Sequence, residues 1–439
     1  MMRRSSRADA DQEPLARQLS VWGLWLLMIN GMIGAGIFGV PAATEALAGA
    51  FSPWIYLICA LLIAPVMVCF CQLASAFRGT GGPMLYARVA FGPMAGFQAG
   101  WAFCVARLTA FAANLNLLVV SLGYFWPRSQ GPATRLALLL GISVLLIWLN
   151  VAGARAAMRS LGALTVLKLL PLIALALWGA VSLDLAQIQT VSAPPPLTDL
   201  GAALLLVIYA YVGFESGLVP AGEARRPEID MPRALLWALI TCALLYALIQ
   251  AAAQHLVPDL ATAPRPLVQA GQAWLGPVGG ALVMLGLLAS VGGNLLGSMF
   301  STSRISYRLG LDGQLPAWFA QVHPRWETPA NSILCYGLAS FVLAASGSFV
   351  WLAVLSVCIR LLLYLLCLCS MPAAERLAGS EPGYLRLPGG PTLRWLAVFV
   401  CLGLMTQISL ASVLGTLALL LVGSGLYGLA RRSSNQKRA

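Results

Sequence analysis

The chain has 439 residues, of which 59% are hydrophobic and only 10% charged, and its mean hydropathy is +0.83. Soluble domains carry about 25% charged residues, so the composition excludes a soluble globular protein and indicates an all-α integral membrane protein. The net charge of +12 raises nucleic acid as a partner, but the basic residues are scattered between apolar runs, and we expect none. Two histidines, and ten cysteines without a ligand spacing, predict no metal and no cofactor.

Apolar runs of helical length recur along the whole chain, separated by loops rich in Gly, Pro or charge. Because a bilayer core needs about 20 residues per helix, we expect about twelve transmembrane helices. The predicted spans cover residues 21–48, 53–77, 93–125, 136–151, 161–183, 200–220, 234–253, 278–303, 330–345, 349–371 and, as two short helices, 395–430.

The first span contains a glycine cluster, Asn30-Gly31-Met32-Ile33-Gly34-Ala35-Gly36, with Pro41 shortly after it. Glycine costs about 1 kcal/mol relative to alanine in a helix interior, and backbone opened in hydrocarbon must find polar partners. The cluster therefore favours a helix broken near Gly34, whose free N–H and C=O groups are ligands for a carboxylate and a cation. Close packing of intact helices on these glycines is the alternative.

The sixth span contains a second interruption, Gly213-Phe214-Glu215-Ser216-Gly217. The second interruption lies five spans after the first. Because five is an odd number of crossings, the two halves of the chain would be inverted in the membrane. Interrupted helices at matching positions of two halves are typical of a transporter binding site. We expect a tail at 1–20, a first inverted repeat at 21–183, a second at 199–372, two additional helices at 392–431 and a tail at 432–439.

The basic residues predict the orientation, because cytoplasmic loops are enriched in Lys and Arg. With the N-terminus inside, only Arg128, Arg135 and Arg265 fall in outer segments. We therefore expect both termini in the cytoplasm and a multi-pass protein of the cell (inner) membrane. A homodimer is left open by the sequence.

Several motifs, in register along the chain, resemble the amino acid–polyamine–organocation (APC) superfamily, which includes the bacterial arginine/agmatine antiporter and related sodium-independent amino acid transporters. The resemblance implies a five-plus-five inverted repeat with broken first and sixth helices plus two C-terminal helices. It also implies a carrier of amino acids or amines rather than an enzyme. The motifs are Asn30–Pro41, Gly81-Gly82-Pro83 through Phe91-Gly92, Gly213-Phe214-Glu215 with Gly222-Glu223, and Ser303-Arg304 through Leu315-Pro316.

The resemblance also implies which residues bind substrate. The backbone from Ile33 to Gly36 would hold the α-carboxylate, Tyr209 takes the place of a gating aromatic residue, and Glu215 takes that of a substrate-facing glutamate. Structural alternatives stay open: Glu215 pairs with Arg107 or Arg360, Tyr209 is core, and the serines pack between helices. The implied substrate-binding residues are Ile33, Gly34, Ala35, Gly36, Arg107, Tyr209, Val212, Glu215, Ser298 and Ser356.

The segment Thr165-Val166-Leu167-Lys168-Leu169-Leu170-Pro171 resembles the fifth helix of family members in which a lysine amine takes the place of sodium. We expect Lys168 to donate to carbonyls freed near Gly34 and to hydroxyls such as Ser301 or Thr302. A lysine that snorkels to the inner surface is the alternative.

The charges within the spans predict the class of substrate. Arg107, Lys168 and Arg360 outnumber Glu215, and like charges in a low dielectric repel. Transport of neutral amino acids, sodium-independent and by proton symport or exchange, is therefore the preferred interpretation. The alternatives are an acidic amino acid or amine/polyamine antiporter and a non-transporting amino acid receptor.

Overall fold

The computed structural model describes residues 20–77, 82–182, 194–218, 224–326, 328–378, 384–386 and 389–436. Within these ranges the helices are α1 Val21–Met32, α2 Gly36–Ala48, α3 Ser52–Ala76, α4 Pro83–Phe91, α5 Pro93–Leu122, α6 Pro132–Ser182, α7 Leu197–Tyr211, α8 Glu215–Leu218, α9 Pro227–Leu256, α10 Pro266–Leu311, α11 Ala330–Ser346, α12 Phe349–Ala378, α13 Pro391–Met405 and α14 Leu410–Gln436. Residues 1–19 and 437–439 of the predicted tails, and Gly81, Gly222 and Glu223 of the loop motifs, lie outside the described residues.

The helices confirm the predicted all-α, multi-pass membrane fold. Eight helical segments of the described chain are long and apolar enough to cross a membrane, and four shorter apolar helices accompany them. In chain order they account for every predicted span. The first span consists of α1 and α2, and the sixth consists of α7 and α8.

Both predicted interruptions are breaks in the helical backbone. The first lies at residues 33–35, where Ile33 leaves the helical region with φ −79° and ψ 85°. The second lies at residues 212–214, where Val212 is extended and Gly213 has φ +112°. Gly36, the last glycine of the cluster, is the first residue of α2, so the break ends at Ala35.

The two broken helices pack against each other. Helix α2 contacts α7, and the short α8 contacts α1. Gly213 meets the first helix directly, since a methyl group on its Cα would overlap the carbonyl oxygen of Gly31. With φ at +112°, the position of Gly213 suits only glycine. The second break therefore lies against the first span near the middle of both spans.

Two connections differ from the prediction. The predicted fourth and fifth spans are joined by helical backbone within α6, because the intervening residues 152–160 are mostly Ala, Arg and Met, which favour helix. Helix α10 begins at Pro266, well before the predicted start at residue 278, and turns at Leu275 and Gly276. The helix of the eighth span therefore begins at Pro277, next to its predicted start, and residues 266–274 form a separate helical segment before the kink.

The two C-terminal helices lie on the outside of the repeat helices. Helix α13 contacts α3 and α12, and α14 contacts α5 and α12. Trp101 Nε1 donates to the Leu419 carbonyl at 2.8 Å, and Gln98 Nε2 donates to Ser424 Oγ at 2.7 Å. Helices α13 and α14 confirm the prediction that residues 395–430 form two helices.

We expect Gly213→Ala to lower the melting temperature of the purified protein, followed by tryptophan fluorescence in detergent. An L side chain in this strained backbone costs about 1–3 kcal/mol, and its methyl would meet Gly31. Gly141→Ala is the matched control, because a methyl there contacts nothing within 4 Å and alanine favours a helix by about 1 kcal/mol. Equal melting temperatures for the two variants would contradict the contact between the breaks.

Candidate functional site

The N-terminal end of α2 presents unpaired backbone donors. No described residue accepts a hydrogen bond from the N–H groups of Ala35, Gly36 or Ile37. Such groups carry the positive end of the helix dipole and bind anions. A methyl on Gly36 would lie 2.9 Å from Ala210 Cα, so these donors lie close against α7.

The opposite side of the break presents carbonyl oxygens that the protein itself satisfies. Lys168 of α6, 1% exposed, donates from Nζ to Ile33 O at 2.7 Å and to Asn30 Oδ1 at 2.6 Å, and lies 3.3 Å from Asn30 O. Ser290 Oγ of α10 lies 3.3 Å from Ile33 O and 3.2 Å from Gly34 O. An ammonium and a hydroxyl thus bind the carbonyls that the break releases.

The hydroxyl at the break differs from the predicted ones. Ser301 is exposed and donates to Gly297 O in its own helix at 2.9 Å, and Thr302 is buried one residue further on. Both follow Ser290 by about three helical turns, roughly 16 Å along the axis. Ser290 lies at the middle of the predicted eighth span, residues 278–303, whereas Ser301 and Thr302 lie at its C-terminal end, so Ser290 is the hydroxyl that reaches the break in the middle of the first span.

Glu215, the first residue of α8, forms a buried ion pair with Arg360 of α12, with Oε1 and Nε 3.4 Å apart. The same oxygen accepts a hydrogen bond from the Tyr364 hydroxyl, and Oε2 accepts one from Gly213 N at 2.7 Å. This is the structural alternative that the sequence left open. The carboxylate is held by groups of the protein, so the structure gives no support to direct substrate contact by Glu215.

The remaining predicted polar residues make contacts between helices. Arg107 is half-buried on α5, and its carbonyl accepts from the Tyr336 hydroxyl at 3.0 Å. Ser298 Oγ lies 3.1 Å from the same hydroxyl, and Ser356 Oγ donates to Ala106 O at 2.8 Å. Both serines therefore contribute to helix packing, as the alternative reading of small hydroxyls holds.

A chain of hydrogen bonds leads from α7, in the sixth span, to the first break. The Tyr209 hydroxyl donates to Asn114 Oδ1 at 2.9 Å, and Asn114 Nδ2 donates to Asn294 Oδ1 at 2.8 Å. Asn294 Nδ2 would lie 3.3 Å from a methyl on Gly34. Val212, buried, follows Tyr209 at the second break. Tyr209 thus belongs to a polar network beside the unpaired N–H groups and is not an isolated core residue.

Sequence reasoning missed several residues of this region, above all Asn114, Asn294 and Ser290. Asn114 and Asn294 carried a usable signal, because an amide in an apolar span needs a hydrogen-bond partner on another helix. Ser290 carried none, since small hydroxyls are frequent along α10. Asn30 was recognised within the glycine motif, but its side chain was not assigned to Lys168.

Two broken helices that meet at mid-span, with free N–H groups and with carbonyls bound by a buried cation, are typical of membrane transporters with interrupted helices. The chain belongs to the amino acid permease family, whose family model matches residues 19–427. Amino acid transport across a membrane follows as its general activity, with a small-molecule amino acid as substrate.

Named relatives agree with this class. An uncharacterized transporter of Mycobacterium tuberculosis is 30% identical over 353 residues, covering 76% of this chain and 75% of the relative. The branched-chain amino acid permease of Bacillus subtilis is 23% identical and covers 98% of this chain and 96% of its own. That of Lactococcus lactis is 27% identical, with coverage of 88% and 89%. These relatives are transporters, and the chain is a transporter rather than an enzyme.

We expect Ser290→Ala to lower both the melting temperature and the rate of substrate uptake in proteoliposomes. The substitution leaves the Gly34 carbonyl without its hydroxyl partner, and a buried unsatisfied acceptor costs about 1–3 kcal/mol. Ser301→Ala is the matched control, since Ser301 bonds only to carbonyls of its own helix. A larger loss of uptake in Ser301→Ala than in Ser290→Ala would instead support the sequence-based prediction that Ser301 is the hydroxyl at the break.

Proposed function

We propose that this protein is a sodium-independent transporter that moves neutral amino acids across the cell membrane by alternating access, through proton symport or exchange. The observation that carries the proposal is the position of Lys168, whose ammonium contacts Ile33 O and Asn30 Oδ1. From the distribution of Lys and Arg, we also propose that both termini are cytoplasmic.

A cation at the break replaces the positive charge that a bound sodium ion would supply. Carbonyl oxygens at the C-terminal end of a half-helix carry partial negative charge and coordinate sodium in transporters with broken helices. Here Lys168 is covalently attached and already fills that position, so no dissolved ion is required. Its contacts with Asn30 and Ile33 argue against a lysine that snorkels to the surface.

The free N–H groups of Ala35, Gly36 and Ile37 suit the α-carboxylate of the substrate. Asn294 Nδ2, beside Gly34, adds a side-chain donor to the same region. Together they supply only donors, which fits an anionic group and not an ammonium.

The charge balance favours substrates without a net positive charge. Lys168 and Arg360 are buried and Arg107 is half-buried, whereas the buried carboxylate Glu215 already pairs with Arg360. The two relatives named as branched-chain amino acid permeases support a neutral, apolar substrate.

Coupling to protons would act through the same lysine. Loss of the Lys168 proton removes the positive charge that the carbonyls of Asn30 and Ile33 contact, and the half-helix α1 would be held less firmly. Exchange of one amino acid for another needs no such step, because the ammonium then stays in place throughout the cycle.

We expect Lys168→Ala to bind leucine but to transport it poorly, because α1 loses the cation that holds its C-terminal carbonyls. Binding is measured by thermal shift and transport by uptake of labelled leucine into proteoliposomes. Val166→Ala, an exposed neighbour on α6, is the control and should transport normally. Uptake by the unmodified protein should persist when choline replaces sodium; collapse of uptake in choline would refute sodium independence.

We expect neutral amino acids to be the best competitors, acidic amino acids the second, and arginine or polyamines the weakest. The reason is the excess of buried positive charge, because an added cation in this environment is repelled by several kcal/mol. Inhibition of labelled leucine uptake by unlabelled competitors gives the order directly. Arginine or agmatine as the strongest competitor would overturn it.

A further inference from the structure

The ion pair between Glu215 and Arg360 lies in the interior of the protein, and both side chains are 2% exposed. Glu215 begins the half-helix α8 directly after the second break, and Arg360 belongs to α12. A buried carboxylate at a helix break attracts a positive charge, because its own desolvation is unfavourable unless it is paired.

Both partners are fixed by further contacts. Arg360 Nη1 donates to Ser356 Oγ at 2.9 Å, and Ser356 Oγ donates in turn to Ala106 O on α5 at 2.8 Å. On the other side, both carboxylate oxygens of Glu215 are occupied, by Tyr364, Gly213 N and Arg360. The pair is therefore a positioned part of the site and not a chance contact of mobile side chains.

The position of Arg360 corresponds to that of Lys168 in the other repeat. Lys168 lies in the fifth span and contacts the break of the first, whereas Arg360 lies in the tenth span and contacts the break of the sixth. In both repeats a cation on the last helix is thus bound at the broken helix of the same repeat. The partner differs, since one cation contacts carbonyls and the other a carboxylate.

The pair belongs to helices that pack beside the candidate substrate site. Helix α12, which carries Arg360, contacts α7, which carries Tyr209. The Glu215 carboxylate also accepts a hydrogen bond from the N–H of Gly213, and Gly213 in turn lies against the Gly31 carbonyl of the first span.

We propose that Arg360 is a specificity-determining residue that excludes cationic amino acids and amines, because its guanidinium fills the place beside Glu215 that a substrate cation would take. The proposal rests on the proposed transport of neutral amino acids. An internal guanidinium satisfies the carboxylate in every transport cycle, so a substrate need not carry a positive side chain.

If one partner of the ion pair is removed, we expect tighter binding of substrates that carry the charge that was removed. Without Arg360, the Glu215 carboxylate is buried and unpaired, and a substrate guanidinium or ammonium compensates it. Without the Glu215 charge, Arg360 is unpaired, and a substrate carboxylate compensates it. A residue with only a packing role predicts loss of binding for every ligand and no such reciprocal change.

The experiment measures binding of labelled L-leucine to purified protein, with L-arginine, agmatine and L-aspartate as competitors, in buffer containing N-methyl-D-glucamine as the cation. We expect arginine and agmatine to compete at least about tenfold better with Arg360→Gln than with the unmodified protein. Aspartate should gain by a similar factor with Glu215→Gln. Arg360→Lys keeps the positive charge and should continue to exclude arginine.

The double variant Glu215→Gln/Arg360→Gln is the matched control, because it removes both charges and leaves similar space. It should bind leucine without a gain for arginine or aspartate. Gain of arginine in this variant, or no gain in either single variant, would overturn the proposal. If Arg360→Gln does not fold, Glu215→Gln and the double variant still decide the question. Failure of the unmodified protein to bind leucine would instead refute the proposed function.

Discussion

The interior of this protein depends on one requirement: backbone polar groups that a broken helix exposes in hydrocarbon must find partners. At the first break the two sides meet it differently. The carbonyls of Asn30, Ile33 and Gly34 are bound by Lys168 and Ser290. The N–H groups of Ala35 to Ile37 have no acceptor among the described residues. The protein completes the cation-binding half of the break, and under the function proposed here the substrate carboxylate completes the anion-binding half.

The same requirement explains why polar side chains lie where they do in otherwise apolar helices. Lys168, Ser290 and Arg360 each point to one of the two breaks from a helix that packs nearby. Asn114 accepts a hydrogen bond from Tyr209 and donates one to Asn294, which lies beside Gly34. Polar residues are costly in a membrane unless they are satisfied, and here the opened backbone and its neighbours satisfy them.

The sequence was sufficient for the architecture, since apolar length, glycine clusters and basic loops report on the membrane directly. The breaks near Gly34 and Gly213 were located to within a residue or two, and the two C-terminal helices were predicted with bounds four to six residues too short at their outer ends. The partners were harder to predict. Ser290 could not be distinguished from the other hydroxyls of the eighth span, because hydropathy does not report which turn of a helix faces the break. The choice of Arg360 over Arg107 for Glu215 depends on helix packing, which hydropathy does not report.

The hydrogen-bond chain from Tyr209 has a direction. A phenolic proton donated to Asn114 Oδ1 leaves the Asn114 amide nitrogen to donate to Asn294 Oδ1. The amide nitrogen of Asn294, which forms no hydrogen bond with the part of the chain described, is then turned towards Gly34. The hydroxyl of Tyr209, on α7, thus sets the orientation of the two side-chain amides. A movement of Tyr209 would free both amides to rotate, so the polar group that faces Gly34 in the first span depends on the position of a side chain in the sixth span.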